Sequence, residues 1–474
     1  MAEIEKIIIS RIKKLGEETG ITPYLVGGYI RDGFLHRRNH DVDVVLEENA
    51  LEFARKFSVR YRYPAPIFYG RFGTAMIEVG KTKLELATAR KESYSQNSRK
   101  PDIVASTLLE DLSRRDFTIN SIARNVLTNE IIDPFCGKKD LKDKIIKTPV
   151  APDKTFFDDP LRILRGIRFA TVLRFTISPD TIEAMKKNAC RLSIVSSERI
   201  SEEIMKIIDA PKPSSGFYLL DEIGVLGNIL PEISALKEKR TDHPCKELFS
   251  HTMQTLDNIS KRTKNRLFRV STLFHDIGKP RTLNIENGKV SFHRHEFLGE
   301  RMSRKLCEKL KISTVDAEII AKIIRYHLRP HLLAKENPSD TALIRFIKEI
   351  GKERDGLFLL AKSDITSKNE KKVKAAVEKI ENLEKRVKTL NKKMRLAKFK
   401  LAVNGFEIMK TLSIPEGKGV GAVKKIIEDM VLDGKLPNRK RMIIKHLKDY
   451  DKELAARANE SNLGSVESAV HPEK

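Results

Sequence analysis

The chain has 474 residues, with 90 Lys and Arg against 65 Asp and Glu, a formal charge of +25. At about 150 residues per domain this makes roughly three domains, and a 40% hydrophobic fraction supplies material for their cores. No apolar run reaches the ~18 residues of a membrane span, and the N-terminus lacks a signal peptide's apolar stretch. The four cysteines (Cys136, Cys190, Cys245, Cys307) have no zinc-like spacing. The expectation is a cytoplasmic protein with reduced thiols, whose positive surplus suits nucleic acid.

Ile4, Ile7, Ile8, Ile12 and Leu15 recur at helical spacing, which predicts an amphipathic helix over 1–20. Short strands are expected at ITPYLVGG, HDVDVVLE, FGTAMIEVG and KTKLELATA, the last two joined by a Gly-Lys turn. Past about residue 145 helical periodicity dominates to residue 450, with breaks at Pro149, Pro152 and APKPSSG (210–216). Over 371–400 the surplus is +9, and Ala376, Ile380, Leu383, Val387, Leu390, Met394 and Ala397 alternate steps of four and three. That pattern is a long basic helix with one buried seam. The polar end, 455–474, reads as a disordered tail.

LVGGYIRDGFLHRRNHDVDVVL (25–46) carries the most chemistry. Gly27 and Gly28 leave room for a phosphate beside the backbone, and the helix start that follows suits negative charge. Asp41 and Asp43, two apart on a strand, project from one side. Carboxylates held so close repel unless a cation intervenes, and hard oxygen ligands of this kind suit Mg²⁺.

This run resembles the head motif of the tRNA nucleotidyltransferases and bacterial poly(A) polymerases, members of the polymerase-β-like nucleotidyltransferase superfamily. The resemblance continues in order through FGTAMIEV (72–79), RKESYSQNSRKPDI (90–103), EDLSRRDFTINSIA (110–123) and IIDPFCGKKDLKDKIIKTP (131–149). DDPLRILRGIRFATVLRF (158–175) and SSERISEEI (196–204) extend it. It implies two Mg²⁺ ions on Asp41 and Asp43 as the catalytic pair, with Glu85 a candidate third carboxylate. Gly27, Gly28 and Arg31 are expected to contact the incoming nucleotide. Arg115, Arg165 and Arg168 are expected at its triphosphate or base, and Asp116 and Asn120 are expected as braces.

Asp159, Arg162, Arg165 and Arg168 recur every three residues, as on one helix face. Arginines so placed without acidic partners repel, and phosphate or a base edge relieves them. Asp159 and Arg162 offer an acceptor beside a forked donor. Cytosine and adenine match that order, whereas uracil and guanine leave buried groups unpaired and are refused. In the resembling family this Asp and Arg act as an amino-acid template; Asp158 stands here where the family has Glu, which touches positioning only.

LFSHTMQTL, STLFHDIGKPRT, FHRHEF, IIRYHLRPH and AKSDITSKN, within 248–369, resemble the HD-domain metal phosphohydrolases. That resemblance implies a second divalent metal site on His251, His275, Asp276 and Asp364, with His293, His295 and His327 to complete a two-metal centre. Residues 403–447 resemble the C-terminal module of HD-containing tRNA nucleotidyltransferases.

The expected fold is α+β. A nucleotidyltransferase head with a small mixed sheet occupies 1–148, and a helical neck for base and RNA recognition occupies 149–235. An HD domain (236–370), a basic helical body (371–454) and the tail (455–474) follow. The expected activity is addition or repair of the 3′-terminal CCA of tRNA from CTP and ATP. A poly(A) polymerase, a CC- or A-adding enzyme, or an HD phosphohydrolase are the alternatives.

Overall fold

The structure is a computed structural model that describes residues 3–93, 102–237, 248–287, 289–367, 369–398, 401–432 and 435–449. The expected tail, Cys245 and the middle of 90–103 lie outside these residues. The chain forms two compact units, Met1–Arg386 and Val387–Lys474.

The first unit opens with α1 (Glu3–Thr19), whose buried stripe is Ile8, Ile12 and Leu15. Strands β1 (Tyr24–Val26), β2 (Asp41–Leu46), β3 (Ile67–Tyr69), β4 (Thr74–Val79) and β5 (Thr82–Thr88) follow, with α2 (Gly27–Phe34) and α3 (Ala50–Tyr61) between them. The hairpin β6 (Arg90–Ser93) and β7 (Asp102–Ala105) is separate from the main sheet, which β8 (Ala123–Asn125) and β9 (Ile131–Ile132) complete. Strand order is β3-β4-β5-β2-β1-β8-β9, all antiparallel except the β2–β5 pair. Alternation along β2 sends Val42 and Val44 into a core shared with Ile8, Ile12, Phe53 and Phe57. Its aspartates therefore face away from that core.

α4 (Leu108–Ser113) and α5 (Gly137–Asp143) close the head. The neck comprises α6 (Pro152–Asp158), α7 (Leu161–Leu173), α8 (Pro179–Asn188) and α9 (Ser197–Ile208). α10 (Ser214–Glu222), α11 (Leu226–Ile229) and α12 (Pro231–Ser234) lead onward. Then come α13 (Leu248–Arg262), α14 (Arg266–Phe274), α15 (His295–Lys309), α16 (Thr314–Tyr326), α17 (Arg329–Glu336), α18 (Asp340–Ile350) and α19 (Arg354–Ser363). The buried Arg269 guanidinium donates to the carbonyls of Ile208, Ala210, Ser260 and Thr263, tying the end of α9 to α13 and α14.

Two pairings break the helical run expected past residue 145: Ile145–Ile146 with Thr176–Ile177, and the hairpin Leu283–Glu286 with Lys289–Phe292. The basic stretch forms α20 (Glu370–Lys398), with Ile380, Leu383 and Val387 buried along its seam. In the second unit, α21 (Gly405–Leu412) starts at a capping box of Asn404 and Glu407 and is followed by α22 (Lys418–Leu432). Val403, Ile408, Leu412, Ile427, Ile443 and Leu447 form its core. Among the described residues no helix is long and apolar enough to cross a membrane. Cys136 and Cys190 are exposed and Cys307 buried, all three as free thiols.

Candidate active site and metal centre

Asp41 and Asp43 line one cleft of about 1090 Å³, and parallel pairing puts Glu85 of β5 directly opposite Asp43. Three carboxylates thus share a face. Burial first, then the charges of Glu85 and Asp41, push the Asp43 carboxyl up to about 7 against the pull of Arg115 and Arg31. Such a donor set fits a hard divalent cation, whose charge removes the repulsion. Asp43 must shed its proton to coordinate, so affinity falls as pH drops through 7. Mg²⁺, titrated calorimetrically, is expected to bind about tenfold more weakly at pH 6 than at pH 8; an unchanged affinity would contradict this placement.

α2 begins at Gly27, whose φ is +65°. A Cβ there would lie 3.0 Å from Arg115 Nη1 and 3.3 Å from Asp43 Oδ2, so only glycine lets both groups close onto the backbone. Arg31 donates to Asp32 and, from Nη1, to Asn120 Oδ1 at 2.8 Å. Asn39 escapes sequence reasoning. Its amide donates to Asp32 Oδ2 at 2.9 Å and its oxygen accepts the Asp41 N–H at 3.0 Å. A hydrogen-bonded chain therefore links Arg31 to the first aspartate, and the available signal was an Asn just ahead of a strand.

Among the described residues nine arginines line this cleft: Arg31, Arg71, Arg90, Arg114, Arg115, Arg162, Arg165, Arg168 and Arg199. Asp159 also lines it, but from the link ahead of α7 and not from the helix, because Pro160 caps α7. Its Oδ1 accepts the Leu161 N–H, and Arg199 lies 3.6 Å from Oδ2. Arg162 is buried and donates through Nη2 to the Arg114 carbonyl at 2.6 Å.

Two of the three arginines of α7 do have acidic partners, contrary to the expectation. Arg165 pairs with Asp116 at 2.6 Å and Arg168 with Glu203 at 2.5 Å. The reason is tertiary: both acids come from other elements, α9 in the case of Glu203. Burial alone would raise the Asp116 carboxyl, yet Arg165 and the Asn120 amide hold it at about 2. Arg31, Arg165 and Arg168 all gather on the Phe169 ring, with guanidinium carbons 5.0, 5.5 and 4.0 Å from its centroid. Arg115 is anchored on Asp111 at 3.0 Å.

The second cluster lies where α13, α14, α15, α16 and α19 converge. His251, His275 and Asp364 form one group able to hold a metal, and Asp276, His295 and His327 form another. Asp276 faces both: its Oδ2 lies 3.2 Å from His275 and its Oδ1 3.6 Å from His295. The Nδ1 atoms of His275, His295 and His327 each meet a main-chain carbonyl three residues earlier, at 2.7, 2.8 and 2.7 Å. His251 Nδ1 meets Thr366 Oγ1 at 2.7 Å. Each carbonyl takes an Nδ1 proton, which aims all three Nε2 atoms inward and leaves those of His295 and His327 as lone pairs.

Two such lone pairs, on His295 and His327, face each other at 3.3 Å. His275 Nε2 and Asp276 Oδ1 are buried with no hydrogen-bond partner. These residues fit divalent metal. Although burial opposes charge, Asp276 and Asp364 hold His275 protonated up to about 10, whereas burial and the His275 charge push His327 down to about 3. His293 is exposed and belongs to neither group. His331, 3.6 Å from Asp364, joins the cluster's edge and escapes sequence reasoning. His327→Ala is expected to lose one equivalent of retained metal and Asp276→Ala both, measured by elemental mass spectrometry after desalting.

Carboxylates on a central strand beside a Gly-Gly helix start, under an arginine-lined cleft, define a nucleotidyltransferase. Residues 23–147 match the Poly A polymerase head domain, 174–237 the probable RNA and SrmB-binding site of polymerase A, and 248–350 the HD domain. A multifunctional CCA protein of Stenotrophomonas maltophilia is 32% identical over 65% of this chain and 76% of its own length. A CCA-adding enzyme of Streptococcus agalactiae is 29% identical over 94% of this chain and 96% of its own. An A-adding tRNA nucleotidyltransferase of Aquifex aeolicus is 43% identical over 36% of this chain, an alignment that spans only 21% of the relative. A solved tRNA nucleotidyltransferase, complexed with a primer tRNA and an incoming ATP analog, superposes with a TM-score of 0.55 at 25% identity, covering 79% of this chain and 99% of that one. The chain belongs to the family of CCA-adding enzymes and their A-adding relatives.

Proposed function

We propose that the protein adds or repairs the 3′-terminal CCA of tRNA, taking CTP and ATP and releasing pyrophosphate. One observation carries this reading: the carboxylates, the Gly27–Gly28 turn and the Asp159/Arg162 pair line a single cleft. Asp41 and Asp43, with Glu85 opposite, would hold Mg²⁺, which when bound lowers the pKa of the attacking 3′-hydroxyl and neutralises the leaving pyrophosphate. Arg31 and Arg115 flank the glycines and bind the triphosphate. Arg165 and Arg168 are already paired with acids, so their part is to hold α7 and the Phe169 ring under the base. Asp159 and Arg162 read the pairing edge, accepting cytosine and adenine.

The test supplies a tRNA transcript lacking CCA with CTP, ATP or both, and resolves products by single nucleotides. Two additions with CTP and a third only with ATP are expected. Addition of A alone to a transcript ending in CC would assign the A-adding reaction instead, and long ATP ladders a poly(A) polymerase.

The shared Asp276 between two ligand groups favours a second activity, hydrolysis of phosphate esters at the HD centre. Metal there, when bound, would activate water and hold the ester's phosphate. Phosphate release from an aryl phosphate, abolished in Asp276→Ala, checks it.

A further inference from the structure

We infer that the exposed aromatic pair at the edge of the head, Tyr69 and Phe72, is a stacking platform for the unpaired 3′ end of the acceptor RNA. The inference rests on nucleotidyl transfer at Asp41 and Asp43 as read above. β3 is the outer strand of the sheet, and edge strands are ordinarily blunted by charge or cover. This one instead presents Tyr69 at 46% exposure on the sheet face of Glu85, and the turn that follows presents Phe72 at 40%, whereas Phe68, opposite Ala75, belongs to the other face. Phe72 lines the catalytic cleft.

Cations flank one of the rings. The guanidinium carbons of Arg71 and Arg90 lie 6.0 and 5.6 Å from the Phe72 centroid. Arg90 also donates to the Phe72 carbonyl at 2.7 Å, which fixes the turn. Exposed rings beside arginines complement a ligand with π faces and phosphates, the pairing that single-stranded nucleic acid offers.

Topology assigns the side. In the sheet, β1 and its Gly27–Gly28 turn lie on one flank of β2, whereas β5, β4 and β3 lie on the other. A triphosphate on the glycines fills the first flank. The hydroxyl attacks in line, opposite the departing pyrophosphate, so the acceptor arrives over Glu85 and Phe72. Its last base is not the same at every step, and stacking tolerates any base where hydrogen-bond readout does not.

The chain contains no tryptophan, so Phe72→Trp introduces a single indole at the platform, which can be excited apart from the nine tyrosines. Titrating that variant with RNA bearing an unpaired 3′ end is expected to quench its emission, and RNA with a fully paired end is not. In the addition assay, Phe72→Ala and Phe72→Leu are expected to raise KM for RNA about tenfold, with KM for ATP unchanged and with a smaller rise for Phe72→Trp, which keeps an aromatic face. Absence of quenching, or a Leu variant equal to wild type, overturns the inference. A smaller particle for Tyr69→Ala with RNA KM unchanged also overturns it, assigning the edge to a second copy of the chain. If wild type adds no nucleotide to any RNA, the reading of the active site fails, while the quenching titration still reports on the platform.

Discussion

Asp43→Asn is expected to lower nucleotide addition at least about 10³-fold, because a neutral amide is a poor ligand for the cation that stabilises the transition state by several kcal/mol. Stability should move the other way. The folded pKa of about 7 lies above the ordinary carboxylate value. The ionised side chain therefore costs folding energy that grows as pH rises through that interval and is fully present above 7. In EDTA at pH 8 the variant should melt no lower than wild type. A collapse of Tm together with activity would make Asp43 a structural residue.

Asp116→Ala should be strongly destabilising, by about 1–3 kcal/mol, because it leaves the buried Asn120 amide and Phe117 N–H without their acceptor and the half-buried Arg165 guanidinium without its acid. Asp116 accepts from Arg165 Nε at 2.7 Å, from Asn120 at 2.8 Å and from the Phe117 N–H at 2.8 Å. Asn120 in turn orients Arg31, so the loss should propagate to the nucleotide side of the cleft. The carboxyl is held at about 2, so its stabilisation is present above the ordinary carboxylate pKa and lost as pH falls toward 2. Denaturant melts of variant and wild type at pH 7 and pH 3 should differ less at pH 3. An equal difference at both would deny the ion pair its role.

Much of the site is legible because its signals are local. Strand period alone puts Asp41 and Asp43 on one face, and His275-Asp276 at the end of an apolar helix marks the second centre. What is not legible depends on pairings that skip along the chain. Glu85 faces Asp43 only because β2 takes β5 as a parallel neighbour, passing over β3 and β4. Arg165 and Arg168 find their acids 49 and 35 residues away, a distance no helix-face pattern reports. His293 and His295 have equal claims by spacing; the start of α15 at His295 turns one inward and leaves the other exposed. The seam of α20 was readable because its repeat spans many turns, whereas the four-residue strands of 283–292 are too short to register against helical surroundings.

His275 and His327 occupy the C-terminal caps of α14 and α16, and His295 begins α15. The rings of His275 and His327 are oriented by carbonyls of their own helix ends and that of His295 by Phe292 at the end of the preceding strand, so the ligand directions are decided by the fold and not by the ion. Capture then demands little further ordering, and release must await fraying of a helix end. The centre should therefore behave as a slow exchanger, holding whichever metal is present when these helices close and sampling its surroundings only at the pace of local unfolding.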